Sequence, residues 1–451
     1  MNIKDYKYDA SLGHEVAKLL QTGTFKSARE MLKFLAPEEV SHLIESSPPQ
    51  TRRILWALID ENNRVDIIHF LNDDIQARFA LEMDSNELVA LSSELETDDM
   101  VDILQQLPDR VTRKVLQAMS TQDRQRVSSA LSYPENTAGG LMNTDTITVR
   151  DNHSIDVVLR YLRRHDEIPE MTDNLFVVNR EDNFIGILPL SKILISDPSK
   201  KVHDVMSSNT EVIPVDMPDD EVARRFERKD WVSAPVVNEN GKLLGRITID
   251  DIVDVIREDA DHALMSMAGL DEEEDTFSPV VKTTPRRVLW LGVNLITALI
   301  AASVINLFQD AIDKVVALAI LMPIVASMGG IAGTQTLTLV IRGLALDQIE
   351  KHNQRWLILR ELAVGSINAF LWAGVVSIIT VLWFDDLIMG VIIAIAMVIS
   401  LISASLAGAI LPISLQRLNI DPALAGGVIL TTITDVIGFM SFLGLATIFY
   451  G

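Results

Sequence analysis

The C-terminal part of the chain carries five apolar stretches that are each long enough to cross a lipid bilayer. They lie at about 287–308, 315–341, 357–384, 387–415 and 423–450, and a helix needs about 20 apolar residues to span the hydrocarbon core. Because backbone polar groups have no water to bind there, such stretches fold as helices. The sequence therefore predicts a polytopic α-helical membrane domain with five spans over residues 284–451.

The positive charges between the spans predict the orientation of this domain. Lys and Arg gather before the first span and in the second and fourth connections, at Arg286, Arg287, Arg342, Lys351, Arg355, Arg360 and Arg417. The first and third connections hold only Lys314 against four acids. Since positively charged loops stay in the cytoplasm, we expect a multi-pass protein of the plasma (inner) membrane, with its large N-terminal half cytoplasmic and its C-terminus outside.

The net charge of −23 belongs entirely to the first 280 residues. Residues 281–451 hold nine acids and nine bases, whereas residues 1–280 hold 53 acids and 30 bases. A nucleic-acid-binding protein needs a basic face, and none is visible, so nucleic acid is not an expected partner. The absence of cysteine excludes disulfides and thiolate metal sites. The chain shows no nucleophile–base pair and no phosphate-binding loop, so we expect that it is not an enzyme.

The N-terminal residues 1–133 have the pattern of many short helices. Apolar residues recur at spacings of three and four, as in Met100, Ile103 and Leu104. Prolines interrupt the pattern at Pro37, Pro48-Pro49 and Pro108. Short helices between such breaks predict an all-α superhelical domain.

Two copies of one module follow, at residues 134–200 and 201–257. Phe176-Val177-Val178-Asn179 in the first copy matches Pro235-Val236-Val237-Asn238 in the second. Each copy has the pattern strand, helix, strand, turn, strand, helix. This α/β pattern resembles a tandem pair of CBS domains.

One motif in the second copy resembles a nucleotide site of the CBS superfamily. Thr248 and Asp251 look like the hydroxyl-x-x-Asp signature that holds an adenosine ribose there. In the first copy Ser191 occupies the hydroxyl position, but Leu194 replaces the acid. The resemblance therefore implies a single site for ATP or another adenine nucleotide.

Acidic residues are densest just before the first span. Between Asp250 and Asp275 there are 11 acids and one base, Arg257. A run of acids is usually a solvated surface, but this one leads from a folded module to the membrane, where divalent cations could neutralise it. Weakly bound, largely hydrated Mg²⁺ needs only one or two carboxylates. The eight histidines show no metal-ligand spacing and are most simply surface residues.

Three features of the membrane domain each allow two interpretations. Asp435 lies inside the last span, where a carboxylate is costly and usually functional; it is either a cation ligand in a wet pore or a structural acid. The segment Pro323–Gln335 contains three glycines, which either break a helix beside water or permit close packing. Asp421-Pro422 is either a helix N-cap followed by a first-turn proline or part of the cytoplasmic mouth.

Six segments together give the chain a resemblance to the MgtE family of magnesium channels over nearly all 451 residues. They are Asp98–Leu104 with Leu107-Pro108, Tyr133–Met142, Asp250–Ile256 with Met267-Ala268-Gly269, Pro323–Gln335, Asp421–Ala423 and Thr431–Gly438. The resemblance implies a homodimer with its pore on the two-fold axis, between the second and fifth spans of both subunits. It also implies a connecting plug helix at residues 258–283.

The same resemblance implies roles for individual residues. In the pore, Asp435 would bind hydrated Mg²⁺ and Asp421 would lie near the inner mouth, while the path would be shaped by Gly329, Gly330, Gln335, Thr431 and Thr432. A cytoplasmic Mg²⁺ sensor would be formed by Asp98, Asp99, Asp102, Asp230, Asp250, Asp251, Asp254, Glu258 and Asp259. The implied function is a Mg²⁺ uptake channel that cytoplasmic Mg²⁺ closes.

One position departs from the family pattern. The glycine segment of the family reads Gly-Gly-Asn-x-Gly-x-Gln, and this chain has Ile331 at the asparagine position. A pore-lining amide is therefore missing, which bears on the selectivity among Mg²⁺, Mn²⁺, Co²⁺ and Ca²⁺ and on closure.

Two other functions fit the sequence. A cation-coupled secondary transporter would exchange Mg²⁺ for Na⁺ or H⁺. A membrane-anchored adenine-nucleotide sensor would use Thr248 and Asp251, would not transport, and would not need Asp435.

Overall fold

The structure is a computed structural model that describes residues 16, 18–20, 24–60, 63–83, 85–165, 168–169, 171–270, 276–346 and 348–450. The last acids of the predicted acidic run, residues 271–275, lie outside the described residues, as do residues 1–15 of the predicted N-terminal domain. The chain divides into two compact units, one of Met1–Asp259 with Asp275–Ser278 and one of Ala260–Glu274 with Pro279–Gly451.

The first unit begins with the predicted array of short helices. Its described helices are α1 (Phe25–Leu32), α2 (Pro37–Glu45), α3 (Pro49–Leu58), α4 (Arg64–His69), α5 (Asp73–Glu82), α6 (Ser85–Glu94), α7 (Thr97–Gln105), α8 (Asp109–Ala118) and α9 (Thr121–Ala130). Pro37 and Pro49 are the first residues of α2 and α3, where a missing N–H costs nothing. The predicted breaks between short helices therefore fall where a proline begins the next helix.

One continuous apolar core joins these helices. Trp56 stacks on Phe79 with ring centroids 4.3 Å apart. Arg52 is fully buried, and its guanidinium donates to the carbonyls of Ile44 (3.1 Å) and Glu45 (2.8 Å) at the end of α2. The buried charge thus satisfies carbonyls that the helix leaves without an internal partner.

Two small three-stranded sheets follow, one in each copy of the duplicated module. The elements are α10 (Ala138–Leu141), β1 (Thr148–Arg150), α11 (Ile155–Leu162), β2 (Asn174–Val178), β3 (Phe184–Pro189), α12 (Leu190–Ile195), α13 (Val202–Val205), β4 (Ile213–Pro214), α14 (Asp219–Lys229), β5 (Ser233–Val237), β6 (Leu243–Thr248) and α15 (Ile249–Met267). In each sheet the first strand pairs parallel with the second, and the second pairs antiparallel with the third.

The two copies repeat even their irregularities. The register shifts between Val177 and Val178 in the first sheet and between Val236 and Val237 in the second, 59 positions later. The hairpins place Asp182 (φ 63°) and Gly241 (φ 76°) in the left-handed region, again 59 apart. The predicted duplication is confirmed.

Among its described residues, the second unit contains five helices that are long and apolar enough to cross a membrane. They are α16 (Val280–Asn306), α18 (Ala317–Ala345), α19 (Gln354–Phe384), α20 (Leu387–Arg417) and α21 (Pro422–Tyr450), with the short α17 (Gln309–Lys314) between the first two. Helix α20 packs against α18, α19 and α21, and α16 packs against α21. Asp386 caps α20 by accepting hydrogen bonds from the N–H groups of Ile388 (2.8 Å) and Met389 (3.1 Å).

The structure decides between the two interpretations of the glycine segment and corrects one local expectation. Helix α18 is unbroken from Ala317 to Ala345, with the exposed Pro323 inside it, so the three glycines do not break the helix. The connecting helix does not run over 258–283: α15 begins at Ile249 and ends at Met267. Gly269, with φ 69°, ends it, because its N–H binds the Ser266 carbonyl while the next N–H binds that of Met265, the Schellman pattern.

Candidate functional site: a polar face in the membrane and an acidic cluster outside it

Four contacts at glycines fix how α18 and α21 pack. A Cβ atom added to Gly329 would lie 3.7 Å from the Cβ of Thr434, and one added to Gly333 would lie 3.0 Å from a Leu430 methyl. The flanking pairs are Val325 with Gly438 (3.4 Å) and Leu337 with Gly426 (3.1 Å). As the residue number of the contact rises by four along α18, the residue number of its partner on α21 falls by four. The two helices are therefore antiparallel neighbours, and Thr434 stands level with Gly329.

This register places a set of polar and small residues on one side of the helix pair. The residue that follows each contact residue in sequence is rotated from it by about 100° around the helix axis. Because the two helices are antiparallel, this rotation brings the following residues of both helices to the same side of the pair. We name this side of the helix pair the open face. It consists of Gly330, Thr334 and Thr338 on α18 and Gly427, Thr431 and Asp435 on α21.

The open face is uncovered within one chain. Cβ atoms added to Gly330 or Gly427 would meet nothing within 4 Å. Thr334 and Thr431 are exposed, and each hydroxyl donates to the carbonyl four residues before it in its own helix, at 2.9 and 3.1 Å. Asp435 is half-buried, and none of the described side chains forms an ion pair with it.

The other predicted pore residues lie around this face rather than on it. Gly329 lies in the helix contact, where an added Cβ would come 2.5 Å from the Ser400 hydroxyl oxygen, so it has the packing role. Gln335 is exposed on α18, one residue beyond Thr334, and Thr432 is half-buried. Ser400 was not predicted; its buried hydroxyl has no hydrogen-bond partner among the described residues.

Asp421 is the N-cap of α21. Its carboxylate accepts hydrogen bonds from the N–H groups of Ala423 (2.8 Å) and Leu424 (3.3 Å), as the capping interpretation predicted. It also lies 3.7 Å from Nε2 of His262, in the last part of α15. Gly269 packs against the Trp290 indole of the first span. The end of α15 thus belongs to the membrane unit.

A cluster of carboxylates lies in the first unit, between the helical array and the second copy of the duplicated module. Asp98 on α7 is buried, and burial together with the charges of Asp251, Asp99, Glu96 and Asp102 raises its pKa well above the usual value. Burial and the charge of Asp250 raise the pKa of Asp251 to about 7. The acidic cluster, as we name it, comprises Asp98, Asp99, Asp102, Asp250, Asp251 and Asp254.

Asp254 and His69 complete the electrostatics of the cluster. Burial raises the pKa of Asp254, and the charges of Asp250 and Asp99 raise it further, against the lowering effects of Arg257 and His69. Nδ1 of His69 lies 3.2 Å from Asp99 Oδ2, so this partly exposed histidine is a cluster neighbour that its sequence position did not reveal. Among the described residues, no three His, Asp or Glu side chains converge on one metal position.

A polar network holds α7 in place beside the cluster. The Thr97 hydroxyl donates to Asp145 (2.7 Å), and Arg126 binds the other oxygen of the same carboxylate (2.5 Å). Glu96 accepts a hydrogen bond from Asn143 and lies 3.7 Å from the buried Arg246 guanidinium. These contacts tie the helical array to both copies of the duplicated module, through Asn143 and Asp145 in the first and Arg246 in the second.

The remaining predicted sensor residues are not in this cluster. Asp230 ends α14 in the left-handed conformation (φ 52°). It lines a cavity of about 130 Å³ in the CBS pair together with Asp173 and Glu211. Glu258 and Asp259 are exposed on α15.

The predicted nucleotide motif has a structural role in this fold. Both the N–H and the hydroxyl of Thr248 donate to Asp251 Oδ2, at 3.2 and 3.0 Å. Thr248 directly precedes α15, so the pair forms part of a capping box at the helix start. A hydroxyl and an acid three residues apart are therefore explained by capping alone.

Comparisons with known proteins cover almost the whole chain. Residues 322–445 match the MgtE family described as divalent cation transporter, residues 35–136 match the MgtE intracellular N domain, and residues 138–197 and 202–258 match the CBS domain. The magnesium transporter MgtE of Bacillus subtilis is 30% identical over 435 residues, 96% of each chain. That of Thermus thermophilus is 27% identical over 447 residues, 97% of this chain and 98% of its own.

One solved structure matches about half of the chain. The crystal structure of the cytosolic domain of the Mg²⁺ channel MgtE in complex with ATP is 27% identical, with a TM-score of 0.49. It is matched over 99% of its length and 54% of this chain.

Proposed function

This chain belongs to the MgtE family of divalent cation transporters, and we propose that it carries Mg²⁺ across the membrane through a pore formed by two copies. The observation that carries this proposal is the open face. Its threonines and Asp435 stand on two helices that are long and apolar enough to cross a membrane. A polar face of this kind is unfavourable against lipid, because a charged side chain inside a bilayer costs several kcal/mol (about 2.5–3.5 on insertion scales).

A second copy of the chain removes that cost. Placed with its own open face opposite, it would shield both faces from lipid and enclose a polar path lined by α18 and α21 of each subunit. Gly330 and Gly427 leave room beside that path, since nothing lies within 4 Å of their missing side chains. The open face therefore supports a homodimer with an axial pore, and the distribution of Lys and Arg between the spans favours a cytoplasmic N-terminal half and a C-terminus outside.

Asp435 would be the ion site in this pore. Its carboxylate and that of its counterpart would attract a divalent cation, and Mg²⁺, which gives up its water reluctantly, would be held through that water. A divalent ion entering down a membrane potential gains roughly 4.6 kcal/mol per 100 mV, twice the single-charge figure. Uptake through a channel therefore needs no coupled ion.

The acidic cluster would be the regulatory element. At low cytoplasmic Mg²⁺ its carboxylates repel one another across the interface between the helical array and the second CBS domain. Mg²⁺ would neutralise them and favour the compact form by binding it better than the open one. Glu258, Asp259 and Asp230 would add charge outside the interface. Closure would then pass along α15, whose last residues contact Asp421.

The decisive experiment is electrophysiology of the purified protein in planar bilayers. We expect Mg²⁺ currents that fall as Mg²⁺ on the cytoplasmic side rises. Currents that collapse with a Na⁺ or H⁺ gradient at fixed voltage would instead indicate a coupled secondary transporter. If Asp435→Ala keeps full function while changes at Thr248 and Asp251 abolish it, the chain is a non-transporting adenine-nucleotide sensor.

A further inference from the structure

A second carboxylate is buried inside the membrane unit, away from the open face. Glu361 in α19 is 6% exposed. Nη1 of the adjacent Arg360 lies 2.5 Å from its Oε1, and the Thr336 hydroxyl on α18 donates to its Oε2 at 3.3 Å. A buried carboxylate in a membrane-spanning helix is costly and is retained for a reason. The pore described above does not use it.

Thr336 places this carboxylate behind the wall of the proposed pore. It precedes the contact residue Leu337, so it is rotated by about 100° to the side opposite the open face. Its hydroxyl also behaves differently from that of Thr334, which donates to its own helix at the Gly330 carbonyl (2.9 Å). The Thr336 hydroxyl reaches across to α19 and joins the two helices.

The packing around Glu361 leaves it little freedom. A Cβ on Gly408 of α20 would lie 3.0 Å from the Thr336 Cβ and 2.6 Å from the Gly333 carbonyl oxygen. One helical turn beyond Glu361, Gly365 packs directly against the Ser405 side chain. Helices α18, α19 and α20 therefore meet closely at this point, with the carboxylate of Glu361 between them.

We propose that Glu361 is a positioning residue for permeation. By accepting the Thr336 hydroxyl it fixes the rotation of α18 about its own axis, which sets where Thr334 and Thr338 stand on the open face. Small errors in the placement of site groups are enough to weaken a site. This inference rests on the proposed function, since it assigns a part in the same permeation path.

The test compares hydrogen-bond acceptance with charge at this position. Mg²⁺ uptake into proteoliposomes is measured for Glu361→Gln, Glu361→Ala, Thr336→Val and the double variant Glu361→Ala/Thr336→Val, normalised to folded protein by size-exclusion chromatography. Gln keeps an acceptor oxygen and should retain wild-type uptake. Ala and Val should each raise the half-saturating Mg²⁺ concentration roughly fivefold, the worth of one net hydrogen bond, and change the Mn²⁺/Mg²⁺ uptake ratio. The double variant should raise the half-saturating Mg²⁺ concentration no further than either single variant does.

Thr380→Val is the matched control. Thr380 is also buried in α19, but its hydroxyl donates to Val376 of its own helix (2.8 Å). A purely structural role for buried threonines would make Thr380→Val and Thr336→Val equivalent, with less folded protein and unchanged affinity.

Four outcomes would overturn the inference while leaving Mg²⁺ transport intact. They are equal losses in Glu361→Gln and Glu361→Ala, wild-type affinity in Thr336→Val, additive losses in the double variant, and a Thr380→Val that matches Thr336→Val. Should Glu361→Ala not fold, Glu361→Gln and Thr336→Val still decide. Wild-type vesicles that take up no Mg²⁺ would overturn the proposed function itself, and the inference with it.

Discussion

Asp98 and Asp251 come from different domains, yet they lie close enough that the charge of Asp251 adds to burial in raising the pKa of Asp98. The pKa of Asp251 itself is raised to about 7, although two hydrogen bonds from Thr248 act in the opposite direction. Ionising both groups therefore costs folding free energy at the interface between the helical array and the second CBS domain. That cost makes the interface sensitive to protons and, under the proposed mechanism, to divalent cations.

The first prediction concerns the pH dependence of stability. A carboxyl whose pKa is raised on folding binds more protons in the folded than in the unfolded state, so stability falls as pH rises between the two values. For Asp251 the loss of stability begins when the pH rises past the ordinary carboxyl pKa of about 4. It ends when the pH is just above the folded-state pKa of about 7. We therefore expect the Tm of the first thermal unfolding transition to decrease from pH 5 to pH 8. The measurement uses the full chain in detergent, with a chelator present. A Tm that rises over this range would contradict it.

The second prediction replaces the buried charges. Asp98→Asn and Asp251→Asn each keep an acceptor oxygen and remove the cost of ionising a buried carboxyl. Each variant should therefore raise the Tm at pH 8, by about 2–4 °C or more for each kcal/mol of folding free energy that is recovered. The same variants should flatten the pH profile and weaken the stabilisation by added Mg²⁺. Asp156→Asn, an exposed acid paired with Arg160 in the first CBS domain, is the control. Unchanged Mg²⁺ stabilisation in both cluster variants would exclude this cluster as a sensor.

The third prediction concerns Asp435. Because it is the carboxylate on the open face, Asp435→Ala should lower Mg²⁺ uptake by at least about tenfold, the effect of losing 1.4 kcal/mol. Asp385→Asn is the control, since Asp385 ends α19 in the left-handed conformation (φ 53°), which Asn also adopts. Growth of a Mg²⁺-dependent host gives the readout, with membrane amounts checked by immunoblot. Full rescue by Asp435→Ala would refute the pore.

The fourth prediction separates two neighbouring glycines. A methyl group at Gly329 would meet the Ser400 hydroxyl at 2.5 Å, whereas one at Gly330 would meet nothing within 4 Å. Gly329→Ala should therefore destabilise the membrane unit by roughly 1–3 kcal/mol, the usual cost of overpacking, and lower its Tm. Gly330→Ala should fold normally and reduce uptake, because its methyl group narrows the open face. Thermal unfolding and uptake, measured on both variants, distinguish these effects. Equal Tm losses would contradict the proposed packing.

How much the sequence predicted differs between the fold and the site. Hydropathy was sufficient for the five spans, and the repeat of Val177 at Val236 was sufficient for the duplication, because both depend on local patterns. The sequence did not separate Gly329 from Gly330, since their roles depend on which side of α18 faces α21 and α20. Nor did it single out Glu361 or His69, because Thr336, which binds Glu361, and Asp99, which lies beside His69, are distant in sequence. The spacing of Thr248 and Asp251 fits a ribose-binding motif and a capping box equally well. Only the structure, in which α15 begins directly after Thr248, shows the capping box.

The last prediction concerns Ile331, the departure from the family pattern. Its side chain is 55% exposed in one subunit, and the register of α18 against α21 puts it level with Thr432, about one turn from Asp435 towards the N-terminal end of α21. An apolar group there offers no hydrogen bond to the water around a Mg²⁺ ion. Ile331→Asn should restore an amide donor and acceptor and raise Mg²⁺ uptake relative to Mn²⁺ and Ca²⁺ about fivefold. Ile331→Leu should leave the ratio unchanged, because it conserves volume and polarity. Competition uptake in proteoliposomes measures the ratio, and equal ratios in the Asn and Leu variants would show that position 331 does not select among these ions.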